Sequence, residues 1–351
     1  MKSDEKHGIS DTTLKKAELI HYGAIYVPDS IKLPYPLSSS TAGPGAGKSA
    51  LTISFEGARL KLGVTRDRNS KFSLRENETG YQILKDKEVF IPYVEIIPTL
   101  LHAPNQAFVN LQDGCIYNCE FCATPELIDE QRKAKSSDQV LNMIMEASEN
   151  KDFQSVAITS GIVGSPEEIL NEMIGVIEKV KKNLGDVNIG VEPYVIEQED
   201  IDRLHSAGAT EIKINIETFD RNIFEKVCPE LDYDHILNML EYAVKVFGKG
   251  KVTTNLIIGL GETDENVLEG VEYFAKIGIV AVIRVLRIND YNYARLVMAL
   301  RRDLEKVAPD RMINLALKQK EILNKYGLST RSFETMCHKC GCCDIVPFKD
   351  I

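Results

Sequence analysis

The chain has 351 residues, of which 44% are hydrophobic and 27% charged, the composition of an ordinary soluble globular protein. Its formal net charge of −10 argues against nucleic acid or an anionic membrane as the main partner. The first residues do not form a signal peptide, and no apolar run reaches the roughly 20 residues that span a bilayer, so a cytoplasmic location is expected. The length predicts one large α/β domain with an appendage.

Residues 1–104 are predicted to form a β-rich N-terminal extension. A short helix is expected over residues 10–21, followed by a loop over residues 28–49 that is rich in Pro, Ser and Gly. Alternating apolar and polar residues predict a hairpin over residues 50–65 and further strands within residues 81–94.

The loop contains Ala42-Gly-Pro-Gly-Ala-Gly-Lys48-Ser49, which satisfies a loose form of the phosphate-binding loop. Such a loop works between a buried strand and a helix, because backbone amides and the helix N-terminus then face the phosphates. The residues before it are rich in Pro and Ser, and Leu51 begins a strand-like alternation instead of a helix. The sequence therefore disfavours an ATPase.

Strand-like and helix-like segments alternate over residues 105–290. Six such units predict a parallel sheet with right-handed crossovers, and six are fewer than the eight of a closed barrel. The fold class expected is α/β, a partial (β/α)6 barrel. Residues 291–351 are expected to form C-terminal helices and a Cys-rich metal-binding tail. The predicted strands are 106–112, 154–159, 187–192, 210–216, 252–258 and 279–286, and the predicted helices are 137–149, 166–183, 197–206, 233–247 and 263–275.

Seven of the eight cysteines fall in two short stretches, whereas a disulfide framework would spread them along the chain. The first stretch places Cys115, Cys119 and Cys122 at C-x3-C-x2-C spacing. Soft thiolates select zinc, Cu(I) or iron–sulfur clusters. Structural zinc usually takes four protein ligands, so three clustered cysteines favour a [4Fe-4S] cluster with one open iron, and a zinc knuckle is the alternative.

This spacing resembles the signature of the radical S-adenosylmethionine (SAM) enzymes. The resemblance implies that SAM chelates the open iron and that its cleavage yields a 5′-deoxyadenosyl radical, which abstracts hydrogen from an unactivated carbon. It also implies a partial-barrel core and places the aromatic Phe121 against the adenine.

In α/β barrels, ligand-binding residues lie where strands end. Thr159 and Ser160 stand where the family carries a Gly-Gly-Glu-like turn that contacts the SAM amino group. The segment from Asn255 to Glu262 resembles the family's G-x-I-x-G-x-x-E motif, with Asn255 replacing the first Gly. Arg287 could clamp a carboxylate or pair with Glu217 or Glu262. The residues predicted to bind the cofactor are Phe121, Thr159, Ser160, Glu192, Asn215, Glu217, Ile257, Gly259, Glu262 and Arg287.

The second stretch of cysteines predicts a second metal site. Its members are Cys337, Cys340, Cys342 and Cys343. Three of them binding a second [4Fe-4S] cluster, with a fourth ligand from elsewhere, is one interpretation, and a structural zinc knuckle is the other. Upstream, Arg331-Ser332 matches two positions of the Arg-Ser-Ser motif of lipoyl synthases, whose serine ligates an auxiliary cluster. That resemblance makes Ser332 a candidate catalytic residue.

Together, the biotin-synthase-like barrel and the tail resemble archaeal two-component lipoyl synthases. The hypothesis is sulfur insertion from the second cluster into an octanoylated lipoyl carrier protein, with a ferredoxin-type electron donor and a partner radical SAM subunit. One alternative is a small-molecule substrate in archaeal cofactor biosynthesis, where carbon-skeleton or methylation chemistry uses the second cluster as an electron conduit or substrate ligand. Another is a zinc-tailed, nucleotide-binding regulatory protein.

Overall fold

The N-terminal region forms a curved sheet flanked by one helix. The computed structural model of the protein describes residues 8–39, 45, 48–124 and 135–351. Helix α1 (Asp11–Tyr22) begins at Ser10, whose side chain accepts a hydrogen bond from the Thr13 amide. Most of the phosphate-like loop, positions 42–44, 46 and 47, lies outside the described residues. Its end does not lead into a helix, because a strand, β3 (Ser49–Phe55), begins there.

Seven strands make this first sheet, in the order β2-β3-β4-β1-β5-β6-β7. A further pairing of β7 with β3 closes six of them into a ring, which leaves few free edges. Apolar side chains including Leu60, Leu62 and Phe72 fill its centre. The predicted hairpin corresponds to β3 and β4. The strands are β1 (Ala24–Tyr26), β2 (Ser38–Ser39), β3 (Ser49–Phe55), β4 (Ala58–Thr65), β5 (Phe72–Asn77), β6 (Gly80–Lys85) and β7 (Glu88–Ile96).

The second sheet is parallel and is the partial barrel expected from the sequence. Its order is β13-β12-β11-β10-β9-β8, so each strand lies beside its neighbour in the chain. The strands are β8 (Gln106–Asn110), β9 (Ser155–Thr159), β10 (Asn188–Glu192), β11 (Glu211–Lys213), β12 (Val252–Ile258) and β13 (Ile279–Val285). The crossover helices are α2 (Ser137–Ser148), α3 (Pro166–Leu184), α4 (Gln198–Ala207), α5 (Arg221–Val227), α6 (Tyr233–Phe247) and α7 (Asp264–Ile277).

Two local features differ from the prediction. Strand β11 stops at Lys213 because the amide of Ile216 bonds the Thr254 side chain instead of a backbone carbonyl. Glu217 then adopts a left-handed conformation, with φ of 63°. Helix α5 was not predicted, since it has only seven residues, and it begins at the capping residue Asp220.

The C-terminal segment returns across the N-terminal ends of the barrel strands. Its elements are α8 (Tyr293–Leu300), α9 (Pro309–Lys325), a 3-10 turn (Thr330–Ser332) and α10 (Met336–Cys340). Thr335 donates to Glu211 at the start of β11, and the Met336 amide donates to Gln106 at the start of β8. A Cβ on Gly190 would lie 2.1 Å from the Thr335 hydroxyl, so strand β10 requires glycine there. Among the described helices, none is long and apolar enough to cross a membrane.

Candidate functional site

The first cysteine loop leaves the C-terminal end of β8 and is held against the end of β9. The amide of Ile116 donates to the carbonyl of Ile162 at 2.7 Å, and that of Gly161 donates to Gln112 at 3.1 Å. A Cβ on Gly161 would lie 2.0 Å from the carbonyl oxygen of Gly114. Only glycine therefore lets the two segments approach this closely.

Arg295 of α8 holds the other side of this loop. Its guanidinium donates to the carboxylate of Glu120 at 3.0 Å and to the carbonyl of Asn118 at 3.0 Å. Longer bonds of 3.3 Å reach the carbonyls of Cys119 and Cys122. One side chain thus fixes the backbone that carries two of the three predicted ligands. No sequence pattern pointed to Arg295, because more than 170 residues separate it from the loop.

A fourth cysteine lies beside the loop. The Glu120 amide donates to the carbonyl of Val227 at 2.8 Å, which brings the end of α5 against the loop. Cys228, only 1% exposed, packs in the barrel core. Its thiol hydrogen-bonds that of Cys119, and this contact, together with burial, raises the pKa of Cys228. The contact with a predicted ligand was not foreseen.

The three predicted ligands are partly exposed thiols. Burial raises the pKa of Cys115, and it raises that of Cys122 to about 11. Because thiolates are the metal-binding form, a metal centre here must displace protons from the loop. Phe121, between the ligands, is 6% exposed and packs in the barrel core. Its carbonyl accepts a hydrogen bond from the buried Asn292, so the structure gives this residue a packing role alongside the predicted adenine contact.

Polar side chains at the ends of β10 and β11 form a network inside the barrel. Glu192 lies 3.2 Å from the ammonium of Lys213, and the Asn215 amide donates to it at 2.6 Å. Burial opposes the charged form of Glu192, but Lys213 and Asn215 together lower its pKa. The Asn215 amide oxygen is buried and has no partner among the described residues.

Glu217 lies in the same interior, beside Asn255 of β12. Burial raises the pKa of Glu217 to about 7, although Lys213 and a hydrogen bond from Asn255 oppose the shift. One carboxylate oxygen of Glu217 and the amide oxygen of Asn255 are buried without a described partner. Buried polar atoms are normally paired, so these atoms indicate a ligand-binding interior.

The turn after β12 is stabilised by its own glutamate. Glu262 accepts hydrogen bonds from the amides of Gly259, Leu260 and Gly261 at 2.8–3.0 Å. Its carboxylate also pairs with Arg311 of α9 at 2.8 Å. The possible pairing of Arg287 with Glu262 is therefore not made among the described ion pairs, because Arg311 pairs with this carboxylate. Glu262 shapes the turn, and its carboxylate is occupied by these contacts.

The remaining predicted cofactor residues lie at the same ends of the strands. Thr159 ends β9 and pairs in register with Glu192 of β10, while the Ser160 hydroxyl donates to the next carbonyl at 2.6 Å. Ile257 is 4% exposed, and its amide donates to the carbonyl of Glu217 at 2.7 Å. Arg287 follows β13 and is exposed. The alternative pairing of Arg287 with Glu217 is absent among the described ion pairs.

The tail approaches the barrel interior from the N-terminal ends of the strands. Cys337 Sγ lies 3.8 Å from Lys213 Nζ, inside the barrel. Arg284 of β13 pairs with Asp344 at 3.0 Å, which anchors the residues after the last cysteine. The Cys342 thiol donates to the Cys340 carbonyl at 3.5 Å.

Cations lie close to the other tail cysteines. Burial raises the pKa of Cys343, whereas the charges of Arg287 and Arg284 oppose that shift. Contact with Cys342 lowers the pKa of Cys340 to about 6. Contact with Cys340 and burial raise the pKa of Cys342, so among these three thiols only that of Cys340 is shifted towards the metal-binding thiolate.

Ser332, the predicted ligand from the lipoyl synthase resemblance, lies at the N-terminal end of the barrel. Its hydroxyl donates to the carbonyls of Ser329 at 2.8 Å and Gly250 at 3.4 Å. These contacts hold the turn before the tail, and a ligand role for Ser332 would require them to break.

Residues 109–279 match the family model described as the radical SAM superfamily. A lipoyl synthase of Caldanaerobacter subterraneus is 27% identical over 168 residues, covering 46% of this chain and 56% of that protein. A biotin synthase of Corynebacterium jeikeium is 26% identical over 167 residues, covering 47% and 45% respectively. The crystal structure of methylornithine synthase aligns with a TM-score of 0.52 at 16% identity over 63% of each chain. The matches span less than two thirds of these relatives' own lengths.

The cysteine loop fits the cluster that this family uses. Among the described residues, no three His, Cys, Asp or Glu side chains converge on one point, as a single bound ion would require. A [4Fe-4S] cluster does not need convergence, because each thiolate binds a different iron corner. In the barrel interior, oxygens of Asn215, Glu217 and Asn255 that have no partner among the described residues would offer acceptors for the ammonium and hydroxyl groups of SAM. The loop and the partial barrel agree with the match of residues 109–279 to the radical SAM superfamily.

Proposed function

We propose that this radical SAM enzyme inserts sulfur from a metal centre in its tail into an unactivated C–H bond, forming the lipoyl group on an octanoylated carrier protein. The proposal depends on the identity of the tail centre as a second [4Fe-4S] cluster. It is supported by relatives named lipoyl synthase and biotin synthase, each similar over about half of this chain.

The observation that carries the proposal is the position of Cys337. Its sulfur lies 3.8 Å from the ammonium of Lys213, which in turn lies 3.2 Å from the carboxylate of Glu192 at the end of β10. The Cys115 loop borders the same interior at the opposite end of the parallel strands, after β8. A substrate bound in this interior would therefore lie between the first cysteine loop and Cys337 of the tail.

The chain's own residues would prepare this space. When bound, the cluster and SAM supply the hydrogen-abstracting radical of the family. The Lys213–Glu192 pair keeps two charges balanced in the interior, and the Arg284–Asp344 pair holds the tail against β13. The tail residue Thr335 is fully buried and donates to Glu211 at the start of β11, so this segment would exclude water from that end of the barrel.

Mass spectrometry of an octanoyl-lysine peptide from a lipoyl carrier domain tests the proposal. After anaerobic incubation with SAM and dithionite, the peptide should gain two sulfur atoms in place of two hydrogens. The Cys340→Ala variant should release 5′-deoxyadenosine without sulfur in the peptide, because the two metal centres perform separate steps.

An unchanged peptide from the metal-replete enzyme, accompanied by 5′-deoxyadenosine, would contradict sulfur insertion into this substrate. Carbon-skeleton or methyl transfer on a small molecule would then be favoured. Zinc at full occupancy in the tail after anaerobic expression in iron-rich medium would also contradict it, because zinc carries no sulfur to donate.

A further inference from the structure

Lys61 occupies an unusual place in the N-terminal sheet. It lies in β4 between Leu60 and Leu62, which both point into the apolar centre of that sheet. Side chains alternate along a strand, so Lys61 faces the opposite side, where a sheet of this kind normally meets water. Here the side chain is only 7% exposed. The tail covers it, since the Lys61 amide donates to the carbonyl of Cys342 at 2.8 Å.

The hydrogen-bond partners of the Lys61 ammonium among the described residues are neutral. It donates to the carbonyl of His102 at 2.7 Å and approaches His102 Nδ1 at 3.2 Å. Burial and the nearby lysine lower the pKa of His102 to about 3, so this imidazole is neutral and accepts. In the part of the chain that the structure describes, no carboxylate lies within ion-pairing distance of Lys61. A buried charge without a counter-ion is costly, so an anion is expected nearby.

The charges around the tail thiols do not balance. Lys16 pairs with Asp350 at 2.7 Å and Arg284 pairs with Asp344 at 3.0 Å, so two cations near the tail have carboxylate partners. Three further cations have none among the described ion pairs: Lys61, Arg287 and Lys349. The Lys349 ammonium donates to the carbonyl of Lys339 at 2.8 Å. The groups of opposite potential charge that face Lys61 are the thiols of Cys340, Cys342 and Cys343.

We infer that Lys61 is the counter-cation of an anionic, thiolate-ligated metal centre held by the tail cysteines, so that the N-terminal sheet forms part of that centre. This inference rests on the second metal centre proposed above, but not on sulfur insertion. Three or four thiolates give a [4Fe-4S] cluster a net negative charge. Lys61 offsets that charge by electrostatic attraction, without binding the metal. The carbonyl and the imidazole of His102 hold its ammonium in place.

Two substitutions separate this role from simple packing. Lys61→Met keeps the volume and removes the charge, whereas Lys61→Arg keeps the charge. Lys87→Met is the matched control, because Lys87 is exposed in the turn between β6 and β7. The readouts are metal content per chain, the rate of metal release to a chelator, and thermal unfolding of the full chain with and without metal. The assay uses a background with alanine at Cys115, Cys119 and Cys122, so that only the tail metal is counted.

Lys61→Met should release the tail metal about tenfold faster or more, the usual effect of removing an outer-shell partner. Lys61→Arg and Lys87→Met should stay within about twofold of the parent protein. Without metal, Lys61→Met should unfold at the same or a higher temperature, because it removes a buried charge that has no counter-ion. A packing role predicts instead that Lys61→Met destabilises both forms.

Equal metal release from Lys61→Met and the parent protein would overturn the counter-cation role while leaving the metal centre in place. A parent protein that holds no tail metal after anaerobic reconstitution would overturn the second centre itself. The two failures are therefore distinguishable from the metal content of the parent protein alone.

Discussion

Replacing Arg295 by alanine should loosen the first cysteine loop without unfolding the barrel. Arg295 lies on α8, outside the parallel sheet, and its side chain is 21% exposed. Its short bonds to the described residues are those to Glu120 and to the carbonyl of Asn118, both at 3.0 Å. Its two bonds of 3.3 Å, to the carbonyls of Cys119 and Cys122, are weaker and add little.

The magnitude follows from the short bonds. Hydrogen bonds that involve a charged group contribute about 1.5–3 kcal/mol net, and partial exposure places these two at the lower end. Together they contribute about 3 kcal/mol to the ordered loop, which corresponds to about a hundredfold in the equilibrium for holding the cluster. The global unfolding temperature should change much less, because the loop lies at the rim of the barrel.

Competition with an iron chelator measures this effect, and the SAM-induced change in the electron paramagnetic resonance spectrum identifies the first site. Met298→Ala is the control on the same helix, since Met298 is 78% exposed and should be neutral. Glu120→Gln should account for part of the loss. If Arg295→Ala retained the SAM-responsive signal and resisted the chelator as well as Met298→Ala does, the proposed support of the loop would be refuted.

Three further predictions concern other parts of the chain. Burial raises the pKa of Glu217 from 4.5 to about 7, so the free energy of unfolding should fall as pH rises through that range. Glu217→Gln should remove this pH dependence and stabilise the protein at pH 8, as measured by chemical denaturation. Cys119→Ala should abolish 5′-deoxyadenosine formation, whereas Cys342→Ala should spare it, and chromatography of the nucleoside distinguishes them. Lys48→Ala should leave activity and unfolding temperature unchanged, and micromolar ATP binding lost in that variant would contradict the rejection of a phosphate loop.

Periodicity and spacing in the sequence were sufficient for the core of the fold. The alternation of apolar strands with amphipathic helices predicted all six parallel strands of the barrel within a few residues. The C-x3-C-x2-C spacing predicts the first site from local sequence alone, because three candidate ligands within eight residues need no long-range contact to come together, and this loop follows β8 in the structure. Polar residues at strand ends, such as Glu192 and Asn215, were also predictable, since parallel strands end at one edge of the sheet.

Long-range contacts decided the rest. Arg295 and Cys228 reach the first cysteine loop only after the chain has folded, and neither carries a local signal. From the sequence alone, Arg287 was a possible partner of Glu262. In the structure, α9 places Arg311 against the Glu262 carboxylate. Lys61 alternates with leucines as a solvent-facing residue would, and it is buried where the returning tail and His102 contact it. Local patterns report which face of an element is apolar, whereas the partner of a polar side chain is set by whichever distant segment packs against it.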